Sequence, residues 1–236
     1  MYPTCPIRKE TSGETEKIIG NWINNNKDKR KDIILATKVV GNGFKYIRNG
    51  GPITRETIKV ALHESLKRLK TDYIDLYQLH WPNRGSYHFR SYWNYKPEKQ
   101  DSKNTTDEFL DIINTLNDFK KEGLIRAIGV SNETCWGVMK LNEIIKEIEN
   151  LCIASIQNEY SLMCRLFDND FNELSNDYFK TLLDMSVKWS PNGTGNSFVA
   201  TDRISGKQMR DASKIDLVLH HPIPLIDEDS HWQTLD

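Results

Sequence analysis

The sequence predicts an α/β fold in which short parallel strands alternate with amphipathic helices around one sheet. From Ile33 to about Val187, β-branched runs of strand length alternate with longer stretches whose apolar residues recur at helical spacing. Several of these stretches begin with a residue suited to capping a helix. With 38% hydrophobic residues in 236 positions, the chain can also bury a core.

Four segments have the composition of buried strands, because they are short and rich in β-branched and other apolar residues. In chain order they are IILATKV at 33–39, YIDLYQLH at 73–80, IRAIGVSN at 125–132 and CIASIQNEYS at 152–161. Helical stretches separate these segments, so we expect neighbouring strands to run parallel.

Helical spacing predicts four helices that each bury one apolar stripe. Capping boxes predict the start of the first helix at Thr11–Glu14 and of the third at 105–108, and Thr54 caps the second. Gly123 suits the end of the third helix. A fourth helix carries Met139, Ile144, Ile145 and Ile148.

Two segments interrupt this alternation. Residues 83–104 are too long for a simple connection and too aromatic for a linker, so we expect them to form a lid over a site. Their aromatic residues are Tyr87, Phe89, Tyr92, Trp93 and Tyr95. Periodicity fades after residue 187, SPNGTGNS at 190–197 is typical of a turn or disorder, and LVLHHPIPL at 217–225 is typical of an edge strand or tail.

Composition narrows the possible partners. Lys and Arg number 32 against 33 Asp and Glu, so the net charge of −1 does not favour nucleic acid. No apolar run approaches the length that crosses a membrane, and the N-terminus lacks an apolar signal segment, so we expect a cytoplasmic protein. The four cysteines form no CxxC pair and are interpreted as free thiols.

Polar residues occur at the ends of all four predicted strands. Lys38 lies at the end of the first predicted strand, and His80 ends the second. Ser131 and Asn132 end the third, and Gln157 lies near the end of the fourth. The carboxyl ends of parallel strands meet at one face, where the catalytic groups of βα arrays gather. The four strands therefore predict one site, although a surface lysine, a core histidine and strand-end capping are the alternative interpretations.

The chain resembles the aldo-keto reductases, most closely the bacterial Tas-type NADPH-dependent subgroup, over about residues 1–175. The matching segments are MYP at 1–3, ETEKIIGNWI at 14–23, ILATKV at 34–39, LHESLKRLKTDYIDLYQLHWP at 62–82, EGLIRAIGVSNET at 122–134 and IQNEYSL at 156–162. The resemblance implies a (β/α)8 TIM barrel. This chain would then be a partial barrel over residues 1–187 that lacks the first strands, and we expect an atypical, disordered C-terminal segment over 188–236.

The resemblance also implies NADPH-dependent reduction of a small aldehyde or ketone by direct hydride transfer. By resemblance, Tyr2 donates the proton to the substrate oxygen, Lys38 lowers the pKa of that tyrosine, and His80 hydrogen-bonds the carbonyl. The residues that match the nicotinamide carboxamide site of the family are Ser131, Asn132 and Gln157.

The chain also departs from the family pattern. The aspartate that the family places five residues before the tyrosine would precede Met1, Met185 stands where an aromatic residue is usual, and no segment after 187 aligns with the phosphate-binding end. These departures predict a fragment, or a gene product altered at both ends, with little or no turnover. The alternative is a non-catalytic nucleotide-binding or scaffolding relative.

A metal-dependent hydrolase is the least favoured interpretation. The C-terminal cluster from His220 to His231 has metal-ligand side chains but no zinc spacing, so no metal site is predicted. The sequence indicates neither the carbonyl substrate nor an oligomeric state.

Overall fold

Helices and strands alternate through the N-terminal two thirds of the chain. The computed structural model describes residues 9–89, 91–159, 166, 169–171, 186–187 and 197–201. Four α-helices are α1 (Glu14–Asn25), α2 (Arg55–Leu69), α3 (Ser102–Lys121) and α4 (Cys135–Ile145). The strands are β1 (Ala36–Val39), β2 (Ile74–Leu79), β3 (Ile125–Ser131), β4 (Ile153–Glu159), β5 (Ser186–Val187) and β6 (Ser197–Thr201). Short 3₁₀ turns lie at Lys9–Thr11, Lys27–Asp32, Arg48–Gly50 and Pro97–Lys99.

One sheet contains all six strands in the order β1-β2-β3-β4-β6-β5. Strands β1 to β4 pair parallel in chain order, and a helix lies between each consecutive pair. Strand β6 then pairs antiparallel with β4, and β5 pairs antiparallel with β6. The four parallel strands with their helices confirm the predicted α/β fold and are consistent with part of a barrel.

Strands β1 to β4 lie within their predicted apolar runs. Strand β1 begins at Ala36 and not at Ile33, because the backbone N–H of Leu35 donates to the Asp75 carboxylate (3.0 Å) and not to a strand. Strand β2 covers 74–79 of the predicted 73–80. Strand β4 begins at Ile153, and residues 160–161 of its predicted run lie outside the described residues. The β3 prediction is correct to within one residue, since the strand ends at Ser131.

The predicted capping of α2 is confirmed, but that of α1 and α3 is wrong. The Thr54 side chain accepts a hydrogen bond from the backbone of Thr57 at the start of α2. Helix α1 follows Gly13, which has a φ of 82° and provides no side-chain cap. Helix α3 begins three residues before the predicted box, because Asp101 accepts from the backbone N–H of Asn104 at 3.0 Å.

The other two helix predictions concern C-terminal ends. Gly123 lies directly after the last turn of α3 with a φ of 75°, a conformation that glycine adopts without strain. Ile148 lies beyond the end of α4, where its N–H donates to the carbonyl of Ile145 in a turn. It packs against the core even so.

The core lies between the parallel sheet and the helices. It contains every apolar stripe that the sequence predicts for α2 and α3, together with alternate residues of the strands. Its fully buried large side chains are Tyr77, Phe171, Ile58, Leu62, Leu69, Ile74, Ile113, Leu116, Ile125, Leu141 and Ile156.

Some predictions fall on residues that the structure does not describe. They include Tyr2, Met185, the edge strand at 217–225 and most of 188–236, of which 197–201 forms β6. Among the described helices, none combines the length and the apolar character needed to cross a membrane.

Candidate active site

One face of the parallel sheet is polar across all four strands. Register places Lys38 beside Gln78, Gln78 beside Gly129, and Gly129 beside Ser155. Alternate residues of a strand share a face, so the residues two positions further on form a second row on the same face. That second row contains His80, Ser131 and Gln157.

Backbone and side-chain hydrogen bonds join the second row. The N–H of His80 donates to the Val39 carbonyl (2.8 Å), and the N–H of Asn132 donates to the Gln157 carbonyl (3.0 Å). Asn132 adopts a φ of 52°, and its Nδ2 donates to the His80 carbonyl and to Ser131 Oγ, both at 3.0 Å. The structure therefore brings together His80, Ser131, Asn132 and Gln157, the four residues predicted for the ends of β2, β3 and β4.

Lys38 lies one residue before Val39, on the first row of the same face. Burial lowers the pKa of its ammonium group to about 8. Within the described part of the chain, no ion pair involves Lys38. The lysine instead borders an open groove of about 430 Å³ at strand β1, together with Glu16 of α1 and residues of α2 and the loop after β1. Tyr2, the sixth predicted catalytic or binding residue, lies outside the described residues.

The buried carboxylate of Glu16 pairs with residues other than Lys38. Glu16 of α1 is 3% exposed and accepts hydrogen bonds from Thr37 Oγ1 and Arg68 Nε, both at 2.6 Å. Although burial favours its neutral form, Arg68 and the Thr37 hydroxyl lower the pKa of Glu16 below the ordinary value. Glu16 thus joins Thr37 of β1 to Arg68 of α2 and stabilises the packing of the helices on the sheet.

The second row contains a buried hydrogen-bond acceptor with no partner. Among the described residues, nothing donates to Gln157 Oε1 or to the neighbouring Asn158 Oδ1, although both atoms are buried. A buried polar atom without a partner is costly, and an amide N–H of a ligand would satisfy it. Both hydrogens of Asn132 Nδ2 are already used, so this amide does not supply the missing donor. A nicotinamide carboxamide, which offers two N–H donors, fits this set of groups.

Gln78 and Ser155 are site residues that the sequence analysis missed. Gln78 is fully buried, and its Nε2 donates to Ser155 Oγ at 3.2 Å across the intervening strand β3. Gly129 makes this contact possible, because a Cβ there would lie 2.3 Å from Ser155 Oγ. Counting back two residues from His80 and from Gln157 would have found both polar groups.

An aromatic wall borders His80. The Trp81 ring lies 4.6 Å from the His80 ring and 5.6 Å and 5.9 Å from those of Phe44 and Phe89, measured between centroids. Trp81 Nε1 donates to the Asn42 carbonyl at 2.9 Å, which fixes the indole against the loop after β1. Of the predicted lid, Phe89 joins this wall, whereas Trp93 is 81% exposed.

Comparisons with known proteins show the family of this chain. The family model of the aldo/keto reductase family matches residues 1–214. The protein tas of Escherichia coli is 41% identical over 181 residues, which cover 74% of this chain and 50% of that protein. An aldo-keto reductase of Babesia bovis is 34% identical over 140 residues, which cover 56% of this chain and 49% of that protein.

A solved structure is also similar. A thermostable aldo-keto reductase in complex with the inhibitor epalrestat is 27% identical, with a TM-score of 0.47 over 70% of this chain and 48% of that one. The chain spans about half the length of the curated relatives named above. The match of the family model over most of the sequence shows that the chain belongs to the aldo/keto reductase family.

Proposed function

We propose that this chain carries the active-site face of an oxidoreductase that reduces aldehydes or ketones with NADPH. The observation that carries the proposal is the buried, unsatisfied Gln157 Oε1, which lies in the same row as His80 on the polar face of the sheet. A face that only packed against a core would have no reason to bury an amide oxygen without a donor.

Ser131, Asn132 and Gln157 are the residues that would hold the nicotinamide carboxamide. Gln157 Oε1 would accept from its NH2 group, and Asn132 keeps Ser131 in place through the 3.0 Å bond to Ser131 Oγ. When bound, NADPH supplies a hydride to the carbonyl carbon of the substrate. The residues of the chain bind and orient the reactants and supply the proton.

His80 and Lys38 provide the polar groups on the substrate side. His80 is 1% exposed, and the two bonds to its backbone N–H and carbonyl fix its place at the end of β2. Its ring would hydrogen-bond the substrate oxygen. Tyr2 would donate its phenolic proton to that oxygen, and a positive charge on Lys38 would lower the pKa of the phenol and stabilise the resulting phenolate.

The experiment measures NADPH binding by fluorescence and carbonyl-dependent NADPH oxidation by absorbance, with small aldehydes and ketones as substrates. We expect Gln157→Leu to weaken NADPH binding by about tenfold, because the carboxamide loses a buried hydrogen bond. The unaltered chain should bind NADPH and show low turnover, and His80→Gln and Tyr2→Phe should lower that turnover further while leaving NADPH binding unchanged.

Matched controls for these variants lie on the surface. His63 is exposed on α2, where its Nδ1 contacts the Lys59 carbonyl, so His63→Gln is the control for His80. Tyr92 is 50% exposed, so Tyr92→Phe is the control for Tyr2. Turnover that is as sensitive to the control variants as to Tyr2→Phe and His80→Gln would contradict the proposed mechanism.

A second candidate is a non-catalytic relative that binds the nucleotide. The absence of an ion pair at Lys38 among the described residues favours it, because an unfixed ammonium group is a weaker aid to proton transfer. Tight NADPH binding without oxidation of NADPH by any carbonyl compound would support this candidate over the enzyme.

A further inference from the structure

Arg84 connects two segments that are distant in sequence and adjacent at the candidate site. One end of its guanidinium, Nη1, donates to Tyr95 Oη (2.8 Å) and to Gln100 Oε1 (3.1 Å) in the loop at 83–100. The other end, Nη2, donates to the Glu133 carboxylate and to Thr134 Oγ1 (2.9 Å) in the turn after β3. Arginine suits this role because its planar fork holds several donors in fixed directions.

The ion pair of Arg84 and Glu133 is buried, with 7% and 4% of the two side chains exposed. Burial raises the pKa of the Glu133 carboxyl to about 7, and Arg84 together with hydrogen bonds from Thr134 acts in the opposite direction. Without Arg84, a charged Glu133 would therefore be costly at neutral pH. The arginine also lies over the Trp136 ring, 5.1 Å from its centroid, so it is enclosed by the start of α4.

Glu133 directly follows the proposed cofactor residues Ser131 and Asn132. Its carboxylate accepts from the backbone N–H of Thr134 (2.7 Å), and Thr134 Oγ1 accepts from the N–H of Gly137 to cap α4 (3.2 Å). Its carbonyl accepts from Asn158 Nδ2 at 3.4 Å, beside Gln157. Arg84 thus holds the turn from which the cofactor residues project.

Gly137 shows how closely this cluster is packed. A Cβ at this position would lie 2.2 Å from Glu133 Oε1 and 2.4 Å from Arg84 Nη2. Only glycine leaves room for the ion pair against the first turn of α4.

We propose that Arg84 is a positioning residue that fixes the cofactor turn, residues 131–134, to the aromatic loop at 83–100. The order of one segment then depends on the order of the other. The proposal that NADPH binds at this turn rests on the proposed function. The link between the turn and the loop rests on the contacts of Arg84 alone.

The test is amide hydrogen exchange of the whole chain, measured by mass spectrometry, together with NADPH binding. Arg84→Gln should raise the exchange rates of both 131–137 and 83–100 by about tenfold and weaken NADPH binding by a similar factor. Arg84→Lys should preserve protection of the turn but not of the loop, because one ammonium group can pair with Glu133 but cannot also reach Tyr95.

Tyr95→Phe is a milder variant that removes one bond of the loop and leaves the ion pair intact. It should raise exchange in the loop and, to a smaller extent, in the turn, whereas Tyr92→Phe should change neither. Arg126→Gln is the control for loss of an arginine, because Arg126 is 59% exposed and pairs with Asp75 at the opposite end of β3.

The outcomes separate the two proposals. Unchanged exchange in the turn of Arg84→Gln, or a change of equal size in Arg126→Gln, would overturn the role of Arg84. If the unaltered chain fails to bind NADPH, the proposed function is contradicted, and the exchange rates measured without nucleotide still decide the role of Arg84.

Discussion

Lys38 illustrates how strand register decides between two sequence interpretations of one side chain. A lysine near a strand end is most often a solvated surface residue. Here the register of β1 with β2 places it beside Gln78, on the polar face, and burial lowers the pKa of its ammonium group to about 8. A lysine that loses its proton near neutral pH is unusual for a residue with a purely structural role.

Replacing Lys38 by Met should stabilise the fold at pH 7 by about 1 to 3 kcal/mol, because a buried ammonium group destabilises the folded state. The cost is fully present below the folded pKa of about 8 and disappears as pH rises towards the ordinary value of 10.5, so the gain should shrink over that range. Urea unfolding at several pH values measures the difference, with Lys59→Met on the exposed side of α2 as control. A gain that does not change between pH 7 and 10 would contradict the assigned burial.

Gly129→Ala should destabilise the sheet by about 1 to 3 kcal/mol, because the added methyl group overlaps neighbouring atoms. Its Cβ would lie 2.3 Å from Ser155 Oγ and 3.0 Å from the Ser155 carbonyl. Adding Ser155→Ala removes the nearer atom, so the double variant should recover part of the loss. Thermal unfolding measures both, and equal losses with and without Ser155→Ala would contradict the packing described for this row.

The N-terminal caps of α2 and α3 show where a local sequence pattern predicts the start of a helix correctly and where it does not. Thr54 caps α2 as predicted, because its hydrogen-bond partner Thr57 lies only three residues further along the chain, in the same turn. The pattern at 105–108 has the same form, yet it lies inside α3, where Thr106 Oγ1 donates to the Ser102 carbonyl. Asp101 competes for the capping position and is the residue that begins the helix.

Asp101→Ala should therefore destabilise the chain by about 1 kcal/mol, the usual cost of losing a side-chain cap. Thr106→Ala should change the free energy of unfolding by less than about 0.5 kcal/mol, since Thr106 is a partly exposed position within the helix and caps nothing. Urea unfolding of the two variants provides the comparison. An effect of Asp101→Ala no larger than that of Thr106→Ala would contradict the role of Asp101 as the cap of α3.

In the molecule as a whole, the amino and carboxyl ends of the parallel strands carry different kinds of polar groups. At the amino end, the Asp75 carboxylate is 8% exposed and pairs with Arg30 (2.8 Å) and Arg126 (2.9 Å). At the carboxyl end lie the polar rows with His80, Gln157 and the unsatisfied amide oxygens. In barrels built from βα units, the first end serves stability and the second carries function.

Asp75→Asn should lower the free energy of unfolding by about 3 kcal/mol, because the buried Arg30 loses its charged partner. NADPH affinity should not change, since the substitution lies at the opposite end of β2 from His80. Chemical denaturation and nucleotide titration measure the two effects separately. A loss of NADPH affinity in folded Asp75→Asn would contradict this division of the sheet.

Much of the fold could be predicted from the sequence, because strand and helix periodicities are local properties. The order and type of the eight elements up to β4 follow from apolar spacing. The polar strand ends at His80, Ser131, Asn132 and Gln157 follow from it as well. The exact strand starts, such as Ala36, do not, since a side chain from another strand captures the Leu35 N–H.

The amino-acid sequence alone was thus sufficient to predict the alternation of strands and helices and the end of the sheet at which polar side chains lie. Both depend on the pattern of residues within a few positions of each other. The pairing of Lys38 with Gln78 and the burial of Gln157 Oε1 required the folded chain. The same holds for the Arg84–Glu133 ion pair, whose members lie 49 residues apart. Contacts over such distances arise from register and packing of the assembled layers, which no short window of sequence encodes.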